Sequence, residues 1–352
     1  TQDRGNGFRM TAASALERAG TVGPSAAWRT SLILLGTALA TLLVLFQNDF
    51  LSMVMVWVNS PTFNHCLLIG PIIGWLIWNR RAEVAQLTPH ASLWGLVPVA
   101  VGAASWFVGE AAGVNLARHL GIIVMMQGSV VTILGISVTR GILFPLAYAL
   151  FLVPFGEEFI PALQMITADL CMILLGWFGL PAHIEGVFIT TPSGFFEVAE
   201  ACSGVKFLIA MLALGALAAN LCFKSWIKRS VFMAACFVVP IIANAIRAFG
   251  TIYIADSSGI EFAESFDHIV YGWFFFAFVI ALVFGMAWRF FDRDIDDPVF
   301  DPADVQSTRE LGPDSSSRLS AMAAGMIAIA AAPMLWLSLG SAAQTAVPDQ
   351  FE

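Results

Sequence analysis

Three short stretches hold the residue types able to do chemistry. Glu200-Ala201-Cys202-Ser203-Gly204-Val205-Lys206 sets a thiol where a polar, Thr/Ser/Gly-rich segment gives way to a long apolar run from Phe207. Asn244-Ala245-Ile246-Arg247 puts an amide and a guanidinium about one turn apart on one helix face. Asp267-His268 sets an imidazole beside a carboxylate at the head of another apolar run. A thiol at a helix start, flanked by Glu200 and Lys206, is favoured as the nucleophilic thiolate by the unpaired N–H groups there. The backbone amides of Ser203 and Gly204 are candidate donors to an oxyanion. Beside a thiol, His268 with Asp267 is placed for general acid/base work.

Each group also has a plainer role. A cysteine near a helix end often serves as a small buried hydrophobe. An arginine in an apolar run costs several kcal/mol unless paired, and Glu197 or Glu200 could pair with Arg247. His268 alone would be an interfacial histidine. What sets these stretches apart is where the elements carry them.

Of the 352 residues, 58% are hydrophobic and 12% charged, against roughly 25% charged in soluble domains. Apolar runs recur at the length needed to cross a bilayer as helix. Without period-two alternation they exclude a β-barrel, so the chain reads as an all-α polytopic integral membrane protein. The runs are Trp28–Phe46, Pro61–Trp78, Ala91–Val108, Leu120–Thr139, Gly141–Phe155, Phe207–Phe223, Val231–Ala255, Ile269–Trp288 and Leu319–Leu339, a bundle of about eight or nine helices. Asn48–Ser60 is amphipathic and expected along the interface.

Basic residues gather at Arg80/Arg81, Arg140, Lys224/Lys228/Arg229, Arg289/Arg293 and Arg318, which the positive-inside rule assigns to the cytoplasm. Gly156–Ser203 then lies outside. Met165–Leu180, interrupted by Asp169 and Gly176, is expected to be interfacial or re-entrant rather than a span. Ala182–Val198 reads as a short extended pair around a turn, a small outer-face lid between the fifth and sixth spans. Arg247 is about 24 Å of helical rise beyond Val231, near the outer boundary. Cys202, Arg247 and His268 thus come from three helices and meet at one face.

The organisation expected is a cytoplasmic tail (1–27), N-terminal membrane helices (28–155), a catalytic membrane core with its lid (156–290), an acidic cytoplasmic linker (291–318), and a last membrane helix with a short outer tail (319–352). No cleavable signal peptide is expected. The five cysteines show neither CxxC nor His/Cys ligand spacing, so no metal site is expected. No basic tract points to nucleic acid.

From about Pro154 to Trp288 the chain resembles the exosortase/archaeosortase family, most closely its exosortase A branch. The resemblance rests on Glu200-Ala201-Cys202-Ser203-Gly204, on the Asn-x-x-Arg stretch at Asn244–Arg247, and on Asp267-His268-Ile269-Val270-Tyr271-Gly272-Trp273. Pro154-Phe155-Gly156-Glu157 departs by a glycine from the family's Pro-x-Pro-Glu. The resemblance implies a membrane-embedded cysteine transpeptidase or protease. Its partners would be exported proteins whose C-terminal signal joins Pro-Glu-Pro, a membrane helix and a basic tail. It implies catalytic roles for Cys202, Arg247 and His268, with Glu200, Ser203, Gly204, Lys206, Asn244 and Asp267 in support. It implies no cofactor, an acyl acceptor that sequence does not identify, a link to exopolysaccharide production, and a periplasm-facing site in a bacterial inner membrane. The alternative class is a multi-pass transporter or channel with outer-half polar residues as its path. It would need polar groups near the midplane and an inward exit, and the inner halves of these helices are nearly bare of charge.

Overall fold

The computed structural model describes residues 26–258, 272–294, 297, 300, 302–305 and 316–345. In chain order the elements begin with α1 (Ala26–Leu45), α2 (Gln47–Asn59), α3 (Cys66–Asn79), α4 (Leu96–Ala112) and α5 (Asn115–Gly141). Then come α6 (Leu143–Tyr148), continued by a 3-10 turn to Leu152, and α7 (Ile160–Trp177). Three strands follow, β1 (His183–Glu185), β2 (Phe188–Thr191) and β3 (Gly194–Glu197). The chain ends with α8 (Val205–Cys222), α9 (Trp226–Ser258), α10 (Gly272–Ala287) and α11 (Ser316–Thr345). Seven helical stretches among the described residues are long and apolar enough to cross a membrane. They are Ala26–Leu45, Leu93–Ala112, Asn115–Gly141, Glu157–Trp177, Glu200–Cys222, Trp226–Ser257 and Ser316–Leu339.

The helices form two units interleaved in sequence. One uses residues up to Phe50, Leu76–Leu146 and those from Val299 onward; the other uses Leu51–Trp75 and Ala147–Pro298. In the first unit the C-terminal helix α11 packs on α1, α4 and α5 around Leu42, Phe46, Met125, Ile133 and Met326. Helices α4 and α5 approach closely at glycines on both, with Gly102 against Gly121, Gly109 against Arg118 and Gly128 against Val99. A β-carbon on Gly121 would lie 2.6 Å from the Gly102 carbonyl oxygen. Small residues let membrane helices approach this closely, and the gain is packing. At Gly135 (φ 81°, ψ 177°) α5 breaks, and the Leu134 and Thr132 carbonyls accept from His90 N–H (3.2 Å) and Ser92 N–H (2.9 Å).

In the second unit α9 packs on α7, α8 and α10, with Gly215 of α8 against Cys236 of α9. One end of this unit is tied by charge. The Asp292 carboxylate accepts from Lys224 N–H (2.8 Å) and from Lys228 Nζ (2.8 Å), and Lys224 Nζ pairs with Asp297 (2.7 Å). These bonds hold the end of α10 against the α8–α9 turn.

The segment expected to be interfacial or re-entrant lies in a helical stretch, Glu157–Trp177, long and apolar enough to cross a membrane. Asp169 is exposed and leaves the i→i−4 ladder intact, and Gly176 comes only at the end. Gly179 (φ 72°) then closes the helix, with Leu180 N–H bonded to Leu175 O (3.0 Å). Conversely, the expected span Gly141–Phe155 holds only the short apolar stretch Leu143–Leu152. Tyr148 Oη donates to Ala213 O (3.2 Å), Gly156 lies against Ile209 and Val205, and Thr167 bonds Asn244, which sits beside Gly204. The chain is non-helical between Leu152 and Glu157, which separates the short stretch ending at Leu152 from α7.

Broken backbone away from water must be satisfied by protein, and here it is. Trp57 Nε1 donates to Leu152 O (2.8 Å) and the Cys66 thiol to Phe151 O (3.3 Å), while the Glu158 carboxylate accepts from Gly156 N–H (2.8 Å). The expected extended pair around a turn is a three-stranded antiparallel sheet, β1-β2-β3. Its Ile189 and Val198 are buried against Ala168, Cys171 and Leu175 of α7.

Two outcomes check this account. Gly121→Val should cost on the order of 1–3 kcal/mol by overpacking, read as a fall in thermal midpoint in detergent. Gly36→Val, where nothing lies within 4 Å of an added β-carbon, should leave the midpoint unchanged; equal falls would dismiss the glycine seam. The second concerns Asp292, whose carboxyl is held below the usual carboxylate range by the hydrogen bond from Lys228, then by that from Lys224 N–H. A lowered folded pKa stabilises at pH above the ordinary value of about 3.9 and is lost as pH falls through the lower one. Asp292→Asn should thus be less stable than wild type at pH 7, and the difference should shrink as the pH falls below about 3.9. A difference independent of pH would show the clamp is not ionic.

Candidate functional site

The thiol sits in a single 3-10 turn, Glu200–Cys202, that precedes α8. Ser203 follows it, and Gly204, the residue before α8, is left-handed (φ 79°). A β-carbon there would meet Asn244 Cγ at 2.7 Å, so both the conformation and the space call for glycine. Cys202 N–H bonds Ala199 O (2.8 Å) and Ser203 N–H bonds Glu200 O (3.1 Å). The Ser203 amide is thereby used by the turn. The Gly204 N–H has no partner among the described residues, which leaves it the better placed of the two candidate oxyanion donors.

Helix α9 brings the second motif to this turn. Asn244, 3% exposed, donates through Nδ2 to Cys202 O (2.7 Å) and to Thr167 Oγ1 of α7 (3.1 Å). A carbonyl can only accept, so the amide orientation is fixed, and Oδ1 has no donor among the described residues. Arg247, 8% exposed, lies on the same side of α9 about one turn further on. With Asn244, Phe207, Pro240, Ala243, Phe275, Phe276 and Val279 it lines a narrow, partly open groove between α8, α9 and α10. The groove wall is almost wholly apolar, so a fixed positive charge there acts through a low dielectric. Half-buried Cys202 packs with Ala168, Cys171, Ala248 and Phe249.

The tertiary structure thus joins Cys202, Ser203, Gly204 and Asn244, and Arg247 lines a groove together with Asn244. Glu200 is exposed and Lys206 lies over the Phe207 ring (5.1 Å). Neither Glu197 nor Glu200 enters an ion pair among the described residues. Asp267 and His268 fall outside the described residues. Among the described residues no group of His, Cys, Asp and Glu could hold a metal ion. Sequence reasoning missed Thr167 and also Gln164, whose Nε2 donates to Val198 O (2.7 Å) and ties α7 to the strand leading into the turn. A threonine or glutamine within an apolar run carries no signal of this kind in its spacing.

A helical membrane protein with a cysteine turn held by an Asn/Arg helix is the class of molecule these features define. The family model of transmembrane exosortases matches residues 57–285, well over half of the chain, and the chain belongs to that family. Comparisons with curated proteins and with solved structures returned no match.

Loss of the Thr167 acceptor should loosen the cysteine turn while keeping the helix. Thr167→Val should speed alkylation of Cys202 several-fold, with Cys222 unchanged, and Thr167→Ser should restore the slow rate. Buried hydrogen bonds of this sort contribute about 1 kcal/mol, enough for that change. Equal alkylation rates in all three proteins would remove Thr167 from the site.

Proposed function

We propose that the protein is a membrane-embedded cysteine transpeptidase or protease that processes the C-terminal sorting signals of exported proteins, cutting near a Pro-Glu-Pro motif followed by a membrane helix and a basic tail. Membership of the exosortase family supports sorting-signal processing in a membrane. The observation that carries the residue assignment is the bond from Asn244 Nδ2 to Cys202 O, which joins motifs 42 residues apart.

The Cys202 thiolate attacks the scissile carbonyl, forming a C–S bond and an oxyanion. Arg247 and the Gly204 N–H stabilise that charge. His268 protonates the departing amine as the C–N bond breaks, releasing the membrane-helix fragment and leaving a thioester. It then takes a proton from the incoming acceptor, water or an amine, as the C–S bond breaks. Asn244 orients the cysteine turn, and Asp267 holds the imidazole. No step calls for a cofactor.

With Arg140 and Lys224/Lys228 inside, α6 and α7 together make a single crossing. The sheet and the cysteine turn then face outward, the periplasmic side of a bacterial inner membrane. The wording Asp267–Trp273 supports the exosortase A branch and its link to exopolysaccharide production.

Cys202→Ala should abolish processing of a cargo tagged on both sides of its Pro-Glu-Pro motif, with normal enzyme levels in the membrane. Mass spectrometry of the new C-terminus made by wild type separates a transpeptidase (added mass) from a protease (free carboxylate). Normal maturation with Cys202→Ala would remove the thiol from the mechanism. Arg247→Lys keeps the charge but loses the planar fork, and should lower cleavage at least tenfold.

A further inference from the structure

The strand leading into the cysteine turn lies at the edge of its sheet. Among the described residues β3 pairs only with β2, in the order β1-β2-β3, and two residues separate its end at Glu197 from the nucleophile's own turn at Glu200–Cys202. The ladder extends past Glu197 through Val198 N–H to Val187 O (2.9 Å). Hydrogen-bonded and non-hydrogen-bonded residues alternate in an antiparallel pair. With Ile189 opposite Phe196 and Thr191 opposite Gly194, Gly194, Phe196 and Val198 turn their main-chain groups to β2. Phe195 and Glu197 turn theirs to the outer edge. Glu197 O accepts from Ala199 N–H (2.9 Å). That leaves Phe195 N–H, Phe195 C=O and Glu197 N–H without a partner among the described residues.

We infer that this outer edge of β3 binds the extended segment of the sorting signal next to the scissile bond, as an added strand. The inference rests on the function proposed above. An added strand gains affinity from main-chain bonds and is indifferent to most side chains, which suits an enzyme that must process many cargoes. Continuity with the cysteine turn argues for β3 rather than β1, the other edge. Phe196 and Val198 of β3 pack in the same cluster as Cys202, so a peptide laid on β3 is carried toward the thiol.

The chemistry of the motif fits this edge. In an extended chain, alternate residues direct their main-chain groups to opposite sides. When the glutamate of Pro-Glu-Pro turns its N–H and C=O toward Phe195, both prolines turn theirs away from β3. Proline, lacking an N–H, is tolerated in a sheet at such outward-facing edge positions. The two prolines also leave the new edge unable to recruit a further strand.

The test uses full-length enzyme in proteoliposomes and a semisynthetic cargo peptide carrying the motif and its membrane helix, N-methylated at one residue at a time. N-methylation of the motif's glutamate, and of residues two positions away, should each lower kcat/KM about tenfold or more. Methylation of the intervening non-proline residues should change it less than twofold. On the enzyme, Phe195→Pro removes the outward N–H. It should raise KM about tenfold while the alkylation rate of Cys202 stays at the wild-type value. Cleavage by Phe195→Pro at the wild-type rate, or N-methyl effects without two-residue alternation, would overturn the strand-addition inference and leave the proposed function standing. Alternation with normal Phe195→Pro kinetics would assign the added strand to another edge and overturn the role of β3. Failure of wild type to cut the unmethylated cargo would overturn the proposed function, and this inference with it.

Discussion

A primary amide buried among apolar helices must find partners for its N–H groups, and the Asn244 side chain finds them on two other segments. One of its protons goes to the carbonyl of Cys202 and the other to the hydroxyl of Thr167. Because an unsatisfied polar group in such surroundings costs several kcal/mol, the three groups hold one another in place. The bonds act where a rigid element would not reach. The cysteine is carried by a single 3-10 turn, and its register against α9 is set by this amide and by the close approach of Gly204. The same face of α9 that positions the turn also presents Arg247 to the groove. Fixing the thiol and fixing the cation are thus one structural act.

The same accounting of backbone groups explains the broken run beside α8. Between Leu152 and Glu157 the chain is not helical, and its carbonyls would be orphaned in a nonpolar medium. Trp57 and Cys66 answer two of them with side-chain donors, and Glu158 folds back to accept from the Gly156 N–H. The break places Gly156 against Val205 and Ile209, within the first two turns of the helix that follows the cysteine. Gly156 has φ 116°, and a side chain there would strike Ile209. The glycine that departs from the Pro-x-Pro-Glu pattern is therefore at a position whose φ excludes proline and where a side chain would displace the end of the Ile209 side chain. The family match, which begins at residue 57, takes in this support as well as the site itself.

Much of the architecture was legible as apolar length. Long runs such as Leu120–Thr139, Phe207–Phe223 and Val231–Ala255 became helices because a polar backbone in an apolar setting has few other solutions. Asn48–Ser60 became the helix Gln47–Asn59, with Met53 and Trp57 inward and Leu51, Met55 and Val58 outward. Gly141–Phe155 and Met165–Leu180 were harder. Hydropathy reports how apolar a window is, and cannot tell where a helix within it breaks. The exposed Asp169 looked like an interruption, yet one carboxylate on an outer face removes no backbone bond.

By itself, the sequence determined that the chain is an all-α membrane protein, since its composition leaves no soluble core and its runs have helical length. It also marked Cys202, Asn244 and Arg247 by type and by local setting, because thiol, amide and guanidinium are conspicuous among Leu, Ala and Phe. Only the tertiary structure decided that Asn244 reads the carbonyl of Cys202, that Thr167 completes the clamp, and that the Ser203 amide is already used while the Gly204 amide has no partner among the described residues. The physical reason is that hydrogen bonds between distant segments depend on the relative rotation and height of packed helices. Those are set by close contacts such as Gly215 on Cys236 and Gly204 on Asn244, and no single stretch of sequence contains both sides of them.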